Sequence, residues 1–251
     1  VPGLVDPRSG KSYSSSVFGE REVAITSLLE GRTGLPVKLE KPANLMALAE
    51  SWFGYAQSER SFAVVALDQT ASLGLWVEAD LHRGASTLGP TFGHIKVGGA
   101  GVVCECGQRD CLNAYVSEAV IRRKAADAMG PDFLGSAAAR ADLKQALADA
   151  AVTGNPAASA LLAELGEKLG VGISHIINLI NPEKIIIALE SAQLGEAMAP
   201  ALRAAAEANS FRAHFATTEL IFHTLDDQLW ARGAAALMLR DIYSAPWTPA
   251  Y

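Results

Sequence analysis

Apolar residues recur along this chain in two different periods. Between Gly19 and Arg32 the positions Val23, Ile25, Leu28 and Leu29 mark one face of a helix, and the stretch from Gly31 to Pro36 ends it. Residues 36–40 (PVKLE) read as a short strand, and residues 43–55, dense in Ala, Leu and Met, as a helix. Two short apolar runs follow, FAVVAL at 62–67 and LGLWV at 73–77, which predict buried strands joined by a polar turn at 68–72. Helices are predicted over 112–129 and 136–152. A longer one runs from Asn155 to Asn178, with Leu161, Leu165, Leu169, Ile173 and Ile176 as its buried stripe. The remaining pattern gives a strand at 184–188, a helix at 196–209, a strand at 218–222 and a last helix at 228–242. Strands alternate with helices, so the fold class is α/β.

Composition narrows the function classes. Half of the 251 residues are apolar, enough for a substantial core in one large or two smaller domains. A net charge of -6, with no run of Lys or Arg, excludes this chain as a nucleic-acid surface by itself. No uninterrupted apolar stretch is long enough to span a bilayer, and no signal peptide opens the sequence, so no membrane partner and a cytoplasmic location are expected. The chain begins Val-Pro-Gly rather than with methionine and is read as a fragment or a processed chain.

All three cysteines fall in one stretch, GHIKVGGAGVVCECGQRDC at 93–111. His94, Cys104, Cys106 and Cys111 make a complete tetrahedral donor set for zinc, with no position left for a substrate water. A closed set of this kind is structural. The tight Cys104-Glu-Cys106-Gly107 turn aims two sulfurs at one point. The alternative is three buried or free thiols beside an unrelated histidine. Three cysteines cannot all pair as disulfides. His82, His175, His214 and His223 are scattered and read as packed or surface residues, and Trp52, Trp76 and Trp230 as core or interface.

With the elements placed, the chain resembles the ROK family of sugar kinases and sugar-responsive repressors. The resemblance runs through Val1-Pro-Gly-Leu-Val-Asp-Pro, Arg83-Gly-Ala-Ser86, Gly93-His94, the Cys-x-Cys-Gly-x-x-x-Cys cluster, Tyr115-Val-Ser117, Asn181-Pro-Glu-Lys-Ile-Ile-Ile187 and Arg232-Gly-Ala-Ala-Ala236. It implies the two-lobed, actin-like (ribonuclease-H-like) ATPase fold with an incomplete N-terminal lobe. Residues 1–60 would be the remainder of that lobe. Residues 61–251 would form the C-terminal lobe, with a zinc knuckle at 94–111 and the last helix returning to the N-terminal lobe. The family's first phosphate loop, and the winged helix-turn-helix of its repressors, would both lie before Val1.

Departures from the family pattern bear on activity. The run matching the family's Asn-Asp-Ala-Asn element is Lys41-Pro42-Ala43-Asn44, which puts proline where the phosphoryl-transfer base belongs. Proline has no group to accept a hydroxyl proton, so no catalytic residue is assigned. The second phosphate loop resembles Leu-Gly-Thr-Gly-x-Gly, but here reads Leu67-Asp68-Gln69-Thr70-Ala71-Ser72. Its glycines are gone, and Asp68 would oppose a nucleotide. The adenosine-side glycine pair is replaced by Ala188-Leu189-Glu190. ATP and kinase activity are therefore not expected.

The resemblance also implies ligand-binding positions. The family's two sugar-binding glutamates correspond to Thr91 and Asn113, with His94 offering its second nitrogen; Gly3 matches the glycine at the sugar, and Lys41 replaces the family's asparagine. Threonine and asparagine are neutral and hold hydroxyls more weakly than carboxylates do. The pocket would take a sugar or polyol effector, or be vestigial. The reading is an effector-sensing and dimerisation region of a transcriptional regulator, zinc-stabilised and forming a homodimer, meeting DNA only through a module outside this chain. A divergent ATP-dependent sugar kinase and a ligand-free scaffold are the alternatives.

Overall fold

A computed structural model of the chain describes residues 3–14, 18–19, 21–86, 88–225 and 227–243, without the side chains of residues 227 and 241. The strands β1 (Leu4–Asp6), β2 (Lys11–Ser14) and β3 (Val23–Ala24) lead into α1 (Ile25–Thr33) and α2 (Pro42–Phe53). Three strands follow, β4 (Phe62–Leu67), β5 (Ala71–Val77) and β6 (Asp80–Leu81). A 3-10 turn at Phe92–His94 precedes the short helices α3 (Asn113–Val116), α4 (Glu118–Met129), α5 (Pro131–Gly135), α6 (Ala137–Ala141) and α7 (Leu143–Val152). The long α8 (Pro156–Ile180) comes next, then β7 (Lys184–Leu189), α9 (Ala192–Asn209), α10 (Arg212–Thr217), β8 (Glu219–Thr224) and α11 (Asp227–Tyr243). One sheet has the order β1-β2-β3 and the other β6-β5-β4-β7-β8.

Contacts divide the chain into two compact units. The first comprises Val1–Arg60, Gly74–Pro90 and Asp226–Tyr251, and the second Ser61–Leu73 and Thr91–Leu225.

In the first unit, β1, β2 and β3 pair antiparallel. The pattern analysis assigns none of them, because strands of two to four residues carry too few side chains to display a period. Val23 and Ala24 pair with Ser12 and Lys11, so α1 begins six residues later than expected from Gly19, at Ile25. The expected apolar face is corrected in part: Leu28 and Leu29 are exposed, whereas Ile25 joins Val5 and Leu39 in the core and Val23 packs half-buried against them. Residues 36–40 form no strand; they run without pairing into α2. That helix opens on Pro42 at its first position, where a missing N–H costs nothing and the fixed φ suits the turn.

The second unit is built on parallel pairing, Phe62 opposite Lys184 and Ile185 opposite Leu220. Every residue of β4 is buried, as its continuous apolar run requires of a strand covered on both faces. All five residues of the predicted α8 stripe are buried. Asn155 caps that helix by accepting from the N–H groups of Ala157 and Ala158. Helices α8 and α9 meet backbone to backbone. A Cβ added at Gly166 would lie 2.5 Å from Met198 O, and one at Gly170 would lie 2.3 Å from Leu202 O.

Two predicted helices are broken by polar residues. The 112–129 span is interrupted at Ser117 (φ -67°, ψ 150°). The 136–152 span is interrupted at Asp142, whose carboxylate accepts from Gln145 N and starts α7 afresh. Ser191 caps α9 through Leu194 N and so moves its start to Ala192, four residues earlier than predicted. Among the described residues, no helix is long and apolar enough to cross a membrane.

Candidate functional site

The cysteine stretch folds into a compact loop in which separate short-range devices place each donor. His94 ends the 3-10 turn. Cys104 N donates to Gln108 O, and Gly107 N donates to Cys104 O, closing the turn that presents Cys104 and Cys106. Isolated bridges pair Lys96 with Cys111 and Val103 with Arg109. Asp110, at φ 59°, takes the left-handed conformation that a short polar side chain tolerates. Its carboxylate accepts from Gly101 N, Val102 N and the Tyr115 hydroxyl (2.6 Å), which ties the loop to α3.

The donor atoms of His94, Cys104, Cys106 and Cys111 all lie within 4.8 Å of one another. Cys104 Sγ is 3.7 Å from His94 Nδ1, and Cys106 Sγ is 3.8 Å from Cys111 Sγ. A tetrahedron with metal–sulfur bonds of about 2.3 Å has edges of roughly 3.8 Å, so these separations fit a four-coordinate ion. They are far too long for a disulfide, whose S–S bond is about 2.05 Å. Nδ1 is the nitrogen that faces the sulfurs. Burial pushes the Cys104 thiol up to about 11, whereas the Gln108 N–H draws Cys106 down. Lys96 Nζ lies 3.3 Å from Cys111 Sγ and donates to Arg109 O at 2.6 Å, setting an ammonium beside the most deeply buried sulfur. A soft, three-sulfur, one-nitrogen set of this geometry suits zinc.

The structure brings His94 and Asn113 into one neighbourhood. A Cβ at Gly93 would lie 2.3 Å from Asn113 Nδ2, so the residue before His94 has to be glycine for the amide to pack there. Asn113 is buried, and its Oδ1 accepts from Ala71 N at 3.0 Å. One lone pair of that oxygen is thus committed to the backbone of β5, a restriction that the sequence does not reveal. Thr91, exposed, precedes the 3-10 turn, its backbone carbonyl accepting from His94 N at 3.0 Å.

In the first unit, Gly3 is exposed and Lys41 half-buried. Pro42 presents no acceptor, so the position matching the family's base is the first turn of a helix. Around it lies a network that the sequence reading did not find. Glu40, buried, accepts at Oε1 from Lys41 N (3.0 Å) and Asn44 Nδ2 (2.8 Å), and at Oε2 from Arg83 Nε (2.8 Å).

The carboxyl ends of β4 and β7 hold a second unforeseen arrangement. Lys144 is buried on α7, and its Nζ donates to Asp68 O and Glu190 Oε1, both at 2.6 Å. Burial raises the Glu190 pKa, the Lys144 ammonium opposing it and the nearby charges of Asp142 and Asp68 adding to it. The 68–70 turn thus offers a carbonyl to an internal ammonium. Outside this corner, a cavity of about 250 Å³ lies between α9 and the ends of β7 and β8, lined by Leu189, Gly195, Arg203 and Phe222 among others. None of the expected ligand residues lines it.

Comparison with known proteins follows the same outline. The ROK family profile matches residues 1–241. The xylose repressor of Caldicellulosiruptor bescii is 26% identical over 250 residues, covering 98% of this chain and 63% of the repressor. The glucokinase of Thermotoga maritima is 29% identical over 245 residues, covering 94% of this chain and 77% of the kinase. The crystal structure of a ROK family transcriptional regulator, a homolog of the E. coli MLC protein, superposes with a TM-score of 0.80 at 25% identity, covering 95% of this chain and 60% of that one. The chain therefore spans less than two thirds of the length of these two regulators.

Proposed function

The chain belongs to the ROK family, and from that premise we propose that it is the effector-sensing and dimerisation region of a ROK-type transcriptional regulator, held by structural zinc and without kinase activity. The observation that carries this reading is the corner at the carboxyl ends of β4 and β7, the end of a parallel sheet at which ligands commonly bind. A polyphosphate entering it would meet the carboxylates of Asp68, Asp142 and Glu190 against a single ammonium already bonded to Glu190. The turn offers no glycine-lined row of N–H groups to phosphate oxygens. At the family's base position stands Pro42, which cannot take up a proton.

Zinc fits the four donors, and its role is to fix the loop 94–111 against the start of α3. The effector is a sugar or polyol, contacted by Thr91, His94 and Asn113 and by Gly3 and Lys41. The name of the xylose repressor supports the sugar class. Two copies pair as a homodimer, and DNA is met through a module outside this chain, whose own net charge of -6 would repel phosphate backbones.

A second reading, a divergent ATP-dependent sugar kinase, is favoured by the identity with the Thermotoga maritima glucokinase. A coupled assay with Mg-ATP and a panel of hexoses separates the two. No turnover is expected, and turnover that requires both ATP and a hexose would overturn the regulator reading.

A further inference from the structure

We propose that the corner formed by Glu40, Lys41, Asn44 and Arg83 binds a polyhydroxy ligand carrying an anionic group, a carboxylate or a phosphate, with the Lys41 ammonium as its counter-charge. The inference rests on the effector reading and names the chemical class of the effector.

Charge at this corner does not balance. Two cations, Lys41 and Arg83, share the one carboxylate of Glu40, and both Glu40 oxygens are already engaged, by Lys41 N, Asn44 Nδ2 and Arg83 Nε. Among the described residues the Lys41 ammonium has neither a hydrogen bond nor an ion pair, although the side chain is half-buried. The ammonium lies against Gly89, 3.2 Å from where a Cβ on that residue would be. Burial pulls its pKa down and Glu40 pulls it back up, the behaviour of a cation that water no longer fully solvates. Arg83, four-fifths buried, uses only its Nε among the described residues, which leaves its terminal nitrogens as donors.

Lys41 also stands at the N-cap of α2, where the helix dipole is positive and a cation is unfavourable. Its placement therefore does nothing for the helix. The same dipole and the free α2 N–H groups would favour an anion.

Asn44 supplies the second demand. The residue is fully buried, its Nδ2 is held by Glu40, and its Oδ1 has no donor. A buried acceptor without a partner is costly, and a ligand hydroxyl would satisfy it. A neutral polyol meets only the Asn44 requirement, and a simple anion only the Lys41 and Arg83 requirement. A sugar acid or sugar phosphate meets both.

The test uses calorimetric titration and thermal shift on the whole chain. Glucose, xylose and N-acetylglucosamine are each offered neutral, with phosphorylated forms of all three, the aldonic acids of glucose and xylose, and inorganic phosphate as control. At least one anionic form should bind about 10- to 100-fold more tightly than its neutral parent and than inorganic phosphate, the gain of a charge-assisted contact. Lys41→Met should erase that preference, bringing the anionic form to the affinity of its neutral parent in the same variant, and Lys41→Arg should keep most of it. Lys41→Gln repeats the test if the methionine variant melts early. Whether phosphate or carboxylate forms bind better identifies the source of the anion. Anion binding indifferent to Lys41→Met, or equal binding of neutral and anionic forms, would overturn the inference and leave the effector reading standing. Binding by none of the panel counts against both. ATP-dependent sugar turnover alongside Lys41-dependent anion binding would overturn the regulator reading alone.

Discussion

The loop 94–111 and the corner at the ends of β4 and β7 belong to the same compact unit, yet they carry opposite records. The loop keeps every donor in tetrahedral register and adds a brace (Asp110 with Tyr115) and an ammonium (Lys96) around it. In the corner the glycine-rich loop gives way to Asp68-Gln69-Thr70, and a lysine is joined to a carboxylate across the open end of the sheet. The two arrangements draw on separate hydrogen bonds, so a substitution in one need not disturb the other. Loss of one is no measure of the other.

Cys106→Ser should have the largest effect. Wild-type protein should hold about one zinc per chain by metal analysis. The variant should release it and melt about 10 °C lower or more, since losing a structural metal costs several kcal/mol and a unit of this size loses about 2–4 °C per kcal/mol. An unchanged melting temperature in metal-free protein would remove the structural role. Next comes Lys144→Met, which strands the Glu190 carboxylate. Glu190 is a quarter exposed, so the cost in urea unfolding should be about 2–3 kcal/mol rather than the larger value for a fully buried ion. The double variant Lys144→Met/Glu190→Leu should recover most of it; no recovery would mean that the pair is not a closed unit.

Gly93→Ala drives a methyl into the Asn113 amide and should cost about 1–3 kcal/mol while leaving the zinc content intact. Zinc loss in that variant would show that loop and ligand residues are one cooperative element. The smallest effect belongs to Tyr115→Phe, about 1 kcal/mol at neutral pH. Burial, reinforced by Asp110, pushes the Tyr115 phenol up to about 12. A raised acid pKa favours the neutral form. Its contribution is therefore complete below the ordinary tyrosine value of about 10 and is lost as pH rises through about 12. The gap between wild type and Tyr115→Phe should close over that window in pH-dependent melts.

What could be read from sequence follows from distance along the chain. The metal set lies within one short stretch, so spacing alone assembles it. α8 announces itself by its helical period, and β4 and β7 by continuous apolar runs bounded by polar residues. The breaks at Ser117 and Asp142 lay inside runs of helix-forming residues. Only the capping bond of Asp142 to Gln145 N explains why the helix restarts there. Lys144 was hidden by its type, since a lysine in an alanine-rich helix ordinarily faces water. Glu40 and Arg83 were hidden by separation, 43 residues apart with no periodicity to link them.

The glycines at 166 and 170 have a mechanical meaning. With no side chains between them, α8 and α9 are held main chain to main chain, and neither can slide or roll without driving Cα atoms into carbonyl oxygens. Any side chain at those two positions would have to force the helices apart.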